Sequence, residues 1–161
     1  MYYANVTLHV FAAIFWLGGI FFLAAVGAPV VRTVDPPALR AQLFRTLGRR
    51  FRGLAWVAIG VLLVTGVANL ALRGLLTPAL TDGTFWGTAY GHALAAKLAC
   101  VVCMLVLSIT HDFVAGPMAS RVQPGTPEAR RLAATSAWVA RVNVVLGIML
   151  VIVAVRLARG G

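Results

Sequence analysis

Hydrophobic residues in this chain gather into four long runs, covering residues 5–31, 54–72, 89–110 and 137–157. A helix that crosses a bilayer needs roughly 20 apolar residues, because the hydrocarbon core is about 30 Å thick and each helical residue rises about 1.5 Å. Each run meets that length or falls within a residue of it. The pattern predicts an all-α fold, an integral membrane four-helix bundle that forms a single transmembrane domain over residues 1–161. The third run is the least uniform. At ~100° per residue, Lys97, Cys100, Met104, Ser108 and His111 fall on one face of its helix. An ionisable side chain inside a membrane span is rare and marks a functional site unless it snorkels to the surface.

The connectors carry a different pattern. Residues 32–53 open with Asp35, Pro36 and Pro37, an N-cap candidate followed by prolines suited to a first helical turn. Leu39, Leu43, Leu47 and Phe51 then recur at helical spacing among Arg40, Arg45, Arg49, Arg50 and Arg52. That spacing predicts a basic amphipathic interfacial helix between helices 1 and 2, lying on the membrane surface and running into the second span. Residues 73–90 hold Phe85, Trp86 and Tyr90, the aromatic residues expected at a membrane interface. The third connector contains Pro117, Pro124, Gly125 and Pro127, and Thr126 with Pro127 reads as the start of an extended fourth helix.

Composition agrees with the pattern. The 161 residues are 61% hydrophobic and 11% charged, with a mean hydropathy of +0.92. A soluble domain of this size could not hide that much apolar surface. The net charge of +10 does not imply nucleic acid, because the arginines sit between apolar runs, where anionic headgroups of the lipid bilayer are the counter-charge. The first and third connectors, with the adjoining Arg141, hold ten of the fourteen basic residues. By the positive-inside rule these connectors are cytoplasmic and both termini lie on the outer side of a bacterial-type inner membrane. The N-terminus has no basic residue before its apolar run, so it reads as a mature first span and not as a cleaved signal peptide.

This topology places His9, early in the first span, and Lys97, early in the third, toward the outer face. His111 follows Lys97 by fourteen residues, about 21 Å along a helix. It therefore belongs to the cytoplasmic end, with Asp112, Arg141 and Asn143. His9 shares a helical stripe with Asn5 and Trp16, and a neutral imidazole is a ready ligand for a metal or haem. The plain alternative is an interfacial histidine bonded to a carbonyl or water. Lys97 suits a haem propionate, an anionic substrate or, if deprotonated, an axial position; His92 is a rival second ligand at the helix end. Cys100, Cys103 and Met104 offer soft donors for copper(I), though cysteine and methionine are also ordinary apolar fillers. The chain has no phosphate-binding glycine loop, HExxH, nucleophile elbow or intramembrane carboxylate pair. Soluble hydrolase and NTPase chemistry are not expected on that ground.

His9 followed by WLGG at 16–19, the FRGLAWVAIGVLLVTG stretch at 51–66, Lys97 and His111 in the third run, and ARVN at 140–143 resemble the four-helix core of copper-resistance protein D (CopD) and of its relative HemJ, a membrane protoporphyrinogen oxidase. The HemJ branch implies a b-type haem with the first-span histidine and third-span lysine required, roles that map onto His9 and Lys97. Val144 stands where that branch tends to have an acidic residue. The copper branch implies a role in copper uptake or tolerance, with helices beyond these four.

The resulting expectation is a membrane protein that binds haem b and transfers electrons, exchanging them with a redox partner or quinone in the membrane. His9 is the axial ligand, Lys97 the second ligand or propionate partner, and Trp16 packs on the site. Arg141 and Asn143 are further cofactor contacts, and His92, His111 and Met104 are weaker candidates for the metal. The alternatives are a copper-handling component using His9, Met104 and the cysteines, and a structural subunit or homo-oligomer within a larger complex.

Overall fold

The structure is a computed structural model and describes residues 1–115, 118, 122 and 126–159. Pro117, Pro124 and Gly125 of the third connector lie outside the described residues. The regular elements among the described residues are all helices, without strands. Four helical segments are long and apolar enough to cross a membrane: Tyr2–Arg32, Pro37–Leu72, Ala89–Val114 and Pro127–Ala158. The chain divides into two compact units, Met1–Gly83 and Thr84–Gly161.

In the first unit, α1 (Tyr2–Phe22) runs into a π-helical turn at Leu23–Gly27 and then a short α2 (Ala28–Arg32). The second long helix, α3 (Pro37–Leu72), has 36 residues without interruption. The basic segment is therefore no separate helix; it is the first half of the rod that forms the second span. Two features differ from the sequence reading. The residue that caps α3 is Pro36, in extended conformation and without a side-chain cap bond, so Asp35 stands one position too early. The apolar stripe of the basic segment is also partly used inside the protein. A side chain at Gly19 would run into the Phe51 ring, and Leu47 lies 3.7 Å from where a Cβ at Gly27 would stand. The glycine at position 19 lets α1 and α3 approach closely, as membrane helices do in the absence of a hydrophobic driving force between them. Gly18 and Gly60 have no such neighbour.

Exposure alternates as a lipid-facing bundle requires. The inward face of α1 buries Ala12, Trp16 and Leu17, and that of α3 buries Ala55, Ala58, Ile59 and Thr65. Val64 is 71% exposed, whereas the neighbouring Thr65 is 3% exposed. The polar side chain faces in and the apolar one faces out, the arrangement that hydrocarbon favours.

The first unit ends after α4 (Leu76–Thr81), and the second opens within a tight turn at Gly83–Gly87. Its first long helix, α5 (Ala89–Ile109), is capped by Thr88, whose hydroxyl accepts from the Gly91 N–H at 2.9 Å. A π-helical turn follows at Thr110–Ala115. The last helix, α6 (Pro127–Ala158), begins as the sequence predicted: Thr126 accepts from the Ala129 N–H at 3.2 Å, and Pro127 and Glu128 occupy the first turn. Helices α5 and α6 pack on each other along their length.

Gly91 is a fixed point of this unit. A Cβ there would overlap the Phe85 carbonyl oxygen and stand 2.8 Å from Trp86 Cα. Backbone cannot step aside as a flexible side chain can. Gly91→Ala should therefore lower stability by about 1–3 kcal/mol, read as a lower thermal midpoint in detergent; an unchanged midpoint would mean that the turn and α5 do not meet this way.

Candidate functional site

The polar groups of the first unit converge between α1 and α3. Asn5 and His9 stand one helical turn apart on α1, and Thr65 and Asn69 one turn apart on α3. The two helices are antiparallel, so the pairs interlock. Asn5 Nδ2 donates to Asn69 Oδ1 at 2.8 Å and to the Thr65 carbonyl at 3.0 Å. His9 Nδ1 and Thr65 Oγ1 are 2.7 Å apart, and the Thr65 hydroxyl donates to the Val61 carbonyl at 2.6 Å. The imidazole lies against α3 beside Gly66, where an added Cβ would be 3.5 Å from Cε1. Within an apolar helix pair this is a localised polar cluster, and membrane helices keep such clusters only where each group finds a partner. Trp16 is buried at 3% exposure two turns farther along the face of α1 that carries His9.

In the second unit the α5 stripe faces inward as its spacing predicts. Cys100 and Met104 are buried, Met104 completely, while Lys97, Ser108 and His111 are half-buried. Cys103 is exposed and Cys100 buried, both as free thiols, so the CxxC pair does not present two thiols to one interior. His111 lies in the π turn, with Nδ1 3.1 Å from Asp112 Oδ1. A π turn carries one extra residue and re-aims the side chains within it, and nothing in the residue types at 110–115 announced it. His92 is exposed and lines a groove of about 310 Å³ with Ala89, Ala93, Ala96, Val153 and Arg156. That position fits an interfacial histidine. Arg141 is exposed and Asn143 buried, so these two candidates sit on different faces of α6.

Asn143 Oδ1 is a buried acceptor with no hydrogen-bond partner among the described residues. If this oxygen has no ligand to hold, Asn143→Leu should leave stability equal or slightly raised, since an unpaired buried acceptor costs about 1–3 kcal/mol. A clear fall in the thermal midpoint would show that Oδ1 has a partner in the working protein.

The donor sets are sparse. No group of three or more His, Cys, Asp or Glu is assembled among the described residues. The first unit has a single histidine, His9, and in the second His92 and His111 are nineteen residues apart, about 28 Å along a helix. Neither unit alone supplies a bis-histidine haem site. His9 and Lys97 belong to different units.

Four helices long and apolar enough to cross a membrane define a multi-pass α-helical membrane protein. The family model described as copper resistance protein D matches residues 45–157, and the chain belongs to that family. It is 30% identical over 155 residues to an uncharacterised protein of Aquifex aeolicus (strain VF5), covering 95% of this chain and 92% of that one. It is 36% identical over 104 residues to copper transport protein CutJ of Bacillus subtilis (strain 168), covering 65% of this chain and 17% of CutJ. No solved structure matches the chain.

Proposed function

We propose that this protein handles copper ions within the membrane, as substrate, and that His9 is a copper ligand on their route. The observation that carries this reading is His9 itself, an imidazole held by Thr65 on the inward face of two membrane-length helices. Imidazole nitrogen is a good donor for copper, and both the family description and the printed name of CutJ concern copper. Met104 and Cys100, soft donors buried on α5, are the candidates for copper(I) farther along the chain. The arginine-bearing ends of the helices face the cytoplasm and both termini lie outside, by the charge asymmetry of the connectors. The first half of α3 then stands among the headgroups. Since the chain spans 17% of CutJ, further subunits or a second copy are part of the proposal.

Haem b is the other occupant that an imidazole at His9 would suit. The test is a titration of the detergent-purified protein with copper(I) against a chromophoric chelator, beside its oxidised and reduced absorption spectra. Stoichiometric copper binding without a Soret band supports the proposal. A reduced α-band, with no copper retained against the chelator, would replace it with the haem reading.

A further inference from the structure

The Thr65 hydroxyl meets a carbonyl oxygen on one side and an imidazole nitrogen on the other, and its single proton can serve only one of them. Thr65 Oγ1 is 2.6 Å from the Val61 carbonyl oxygen and 2.7 Å from His9 Nδ1. Two oxygens cannot approach to 2.6 Å with lone pairs facing each other, so the single hydroxyl proton lies between them, as in a threonine bonding back to the i−4 carbonyl. The Thr65 oxygen can then only accept from His9. The proton on the imidazole must be on Nδ1.

From this we propose that Thr65 is a positioning residue: it fixes the His9 ring with its N–H at Nδ1, so that copper, when His9 binds it, is taken through Nε2. The inference rests on the copper reading above for its last clause alone; the tautomer stands on the geometry. Metal-ligating histidines characteristically donate their other ring N–H to a fixed acceptor, which sets the tautomer and ring orientation. Here that acceptor is a threonine 3% exposed. Its own carbonyl receives Asn5 Nδ2 at 3.0 Å, which ties α1 to the same turn of α3. The device is complete without metal, so it is open to measurement in the copper-free protein.

The experiment is nitrogen NMR of protein labelled with ¹⁵N-histidine, with His92→Ala and His111→Ala leaving only the His9 signals. In the wild type, Nδ1 should show a pyrrole-type shift and Nε2 a pyridine-type shift. Thr65→Val keeps the shape of the side chain but offers no acceptor, so the His9 signals should move toward the Nε2–H tautomer. Thr65→Ser, which restores the oxygen, should keep the wild-type pattern. Copper(I) affinity should fall about 10- to 100-fold in Thr65→Val, the usual range for loss of a group that orients a ligand, and recover in Thr65→Ser. A wild-type Nε2–H signature, or shifts unmoved by Thr65→Val, would overturn the inference. Copper binding untouched by His9→Ala, with the tautomer behaving as expected, would instead overturn the copper reading and leave Thr65's control of the ring standing.

Discussion

His9→Ala is expected to weaken copper(I) binding by at least about 100-fold, more than loss of an orienting neighbour does, while the protein still folds. The argument rests on where the side chain stands. His9 is half-buried, and its ring lies against α3 without filling a large core position. Its removal leaves Thr65 bonded to Val61 and Asn5 bonded to Asn69, so the α1–α3 pair keeps its other polar links. Binding should suffer far more than folding. The measurement pairs a chelator-competition titration with the thermal midpoint of each variant, and with copper tolerance of cells carrying the gene. His92→Ala is the control, because that residue is exposed at the head of α5, and its affinity should match the wild type. If His9→Ala and His92→Ala bind copper equally well, His9 is no ligand.

Trp16→Ala should be the most damaging single change to stability, lowering it by about 3–5 kcal/mol. Trp16 is 3% exposed on the inward face of α1. In lipid, the loss is one of packing contacts and of the cavity left behind, since tails and side chains are equally apolar. Trp16→Phe should recover part of the loss by refilling some of that space. Detergent-solubilised variants compared by thermal unfolding give the ranking, and equal midpoints for wild type and Trp16→Ala would remove Trp16 from the core.

The four spans were legible because hydrocarbon demands long apolar runs, a constraint that sequence states almost without ambiguity. The inward stripe of α5 was legible for a related reason: at ~100° per residue, positions three or four apart share a face, and Cys100, Met104 and their half-buried neighbours do. The Thr126 cap was visible in the Thr-Pro-Glu order. Thr65 was hidden, since a threonine inside VLLVTG is an ordinary residue of an apolar helix. The signal that could have found it is a matched spacing, with Asn5 and His9 four apart in one span and Thr65 and Asn69 four apart in the next. The two π turns leave no such trace. They depend on how neighbouring turns pack, which no single residue type encodes. The continuity of α3 was also missed in part, because a change from arginine-rich to apolar composition reads as a boundary although the helical ladder crosses it unbroken.

That continuity gives α3 the character of a depth gauge. Arg52 and Thr65 are thirteen residues apart on one rod, or about 20 Å. Arginine is held at the headgroup level by its hydration and by anionic lipid. On the topology proposed above, with Arg52 among the headgroups, the His9–Thr65 contact would stand about two-thirds of the way across a hydrocarbon core of about 30 Å. A bilayer a few ångströms thinner would bring that contact nearer the opposite surface, and a thicker one would draw it deeper. On that placement, lipid chain length would set how much water His9 meets.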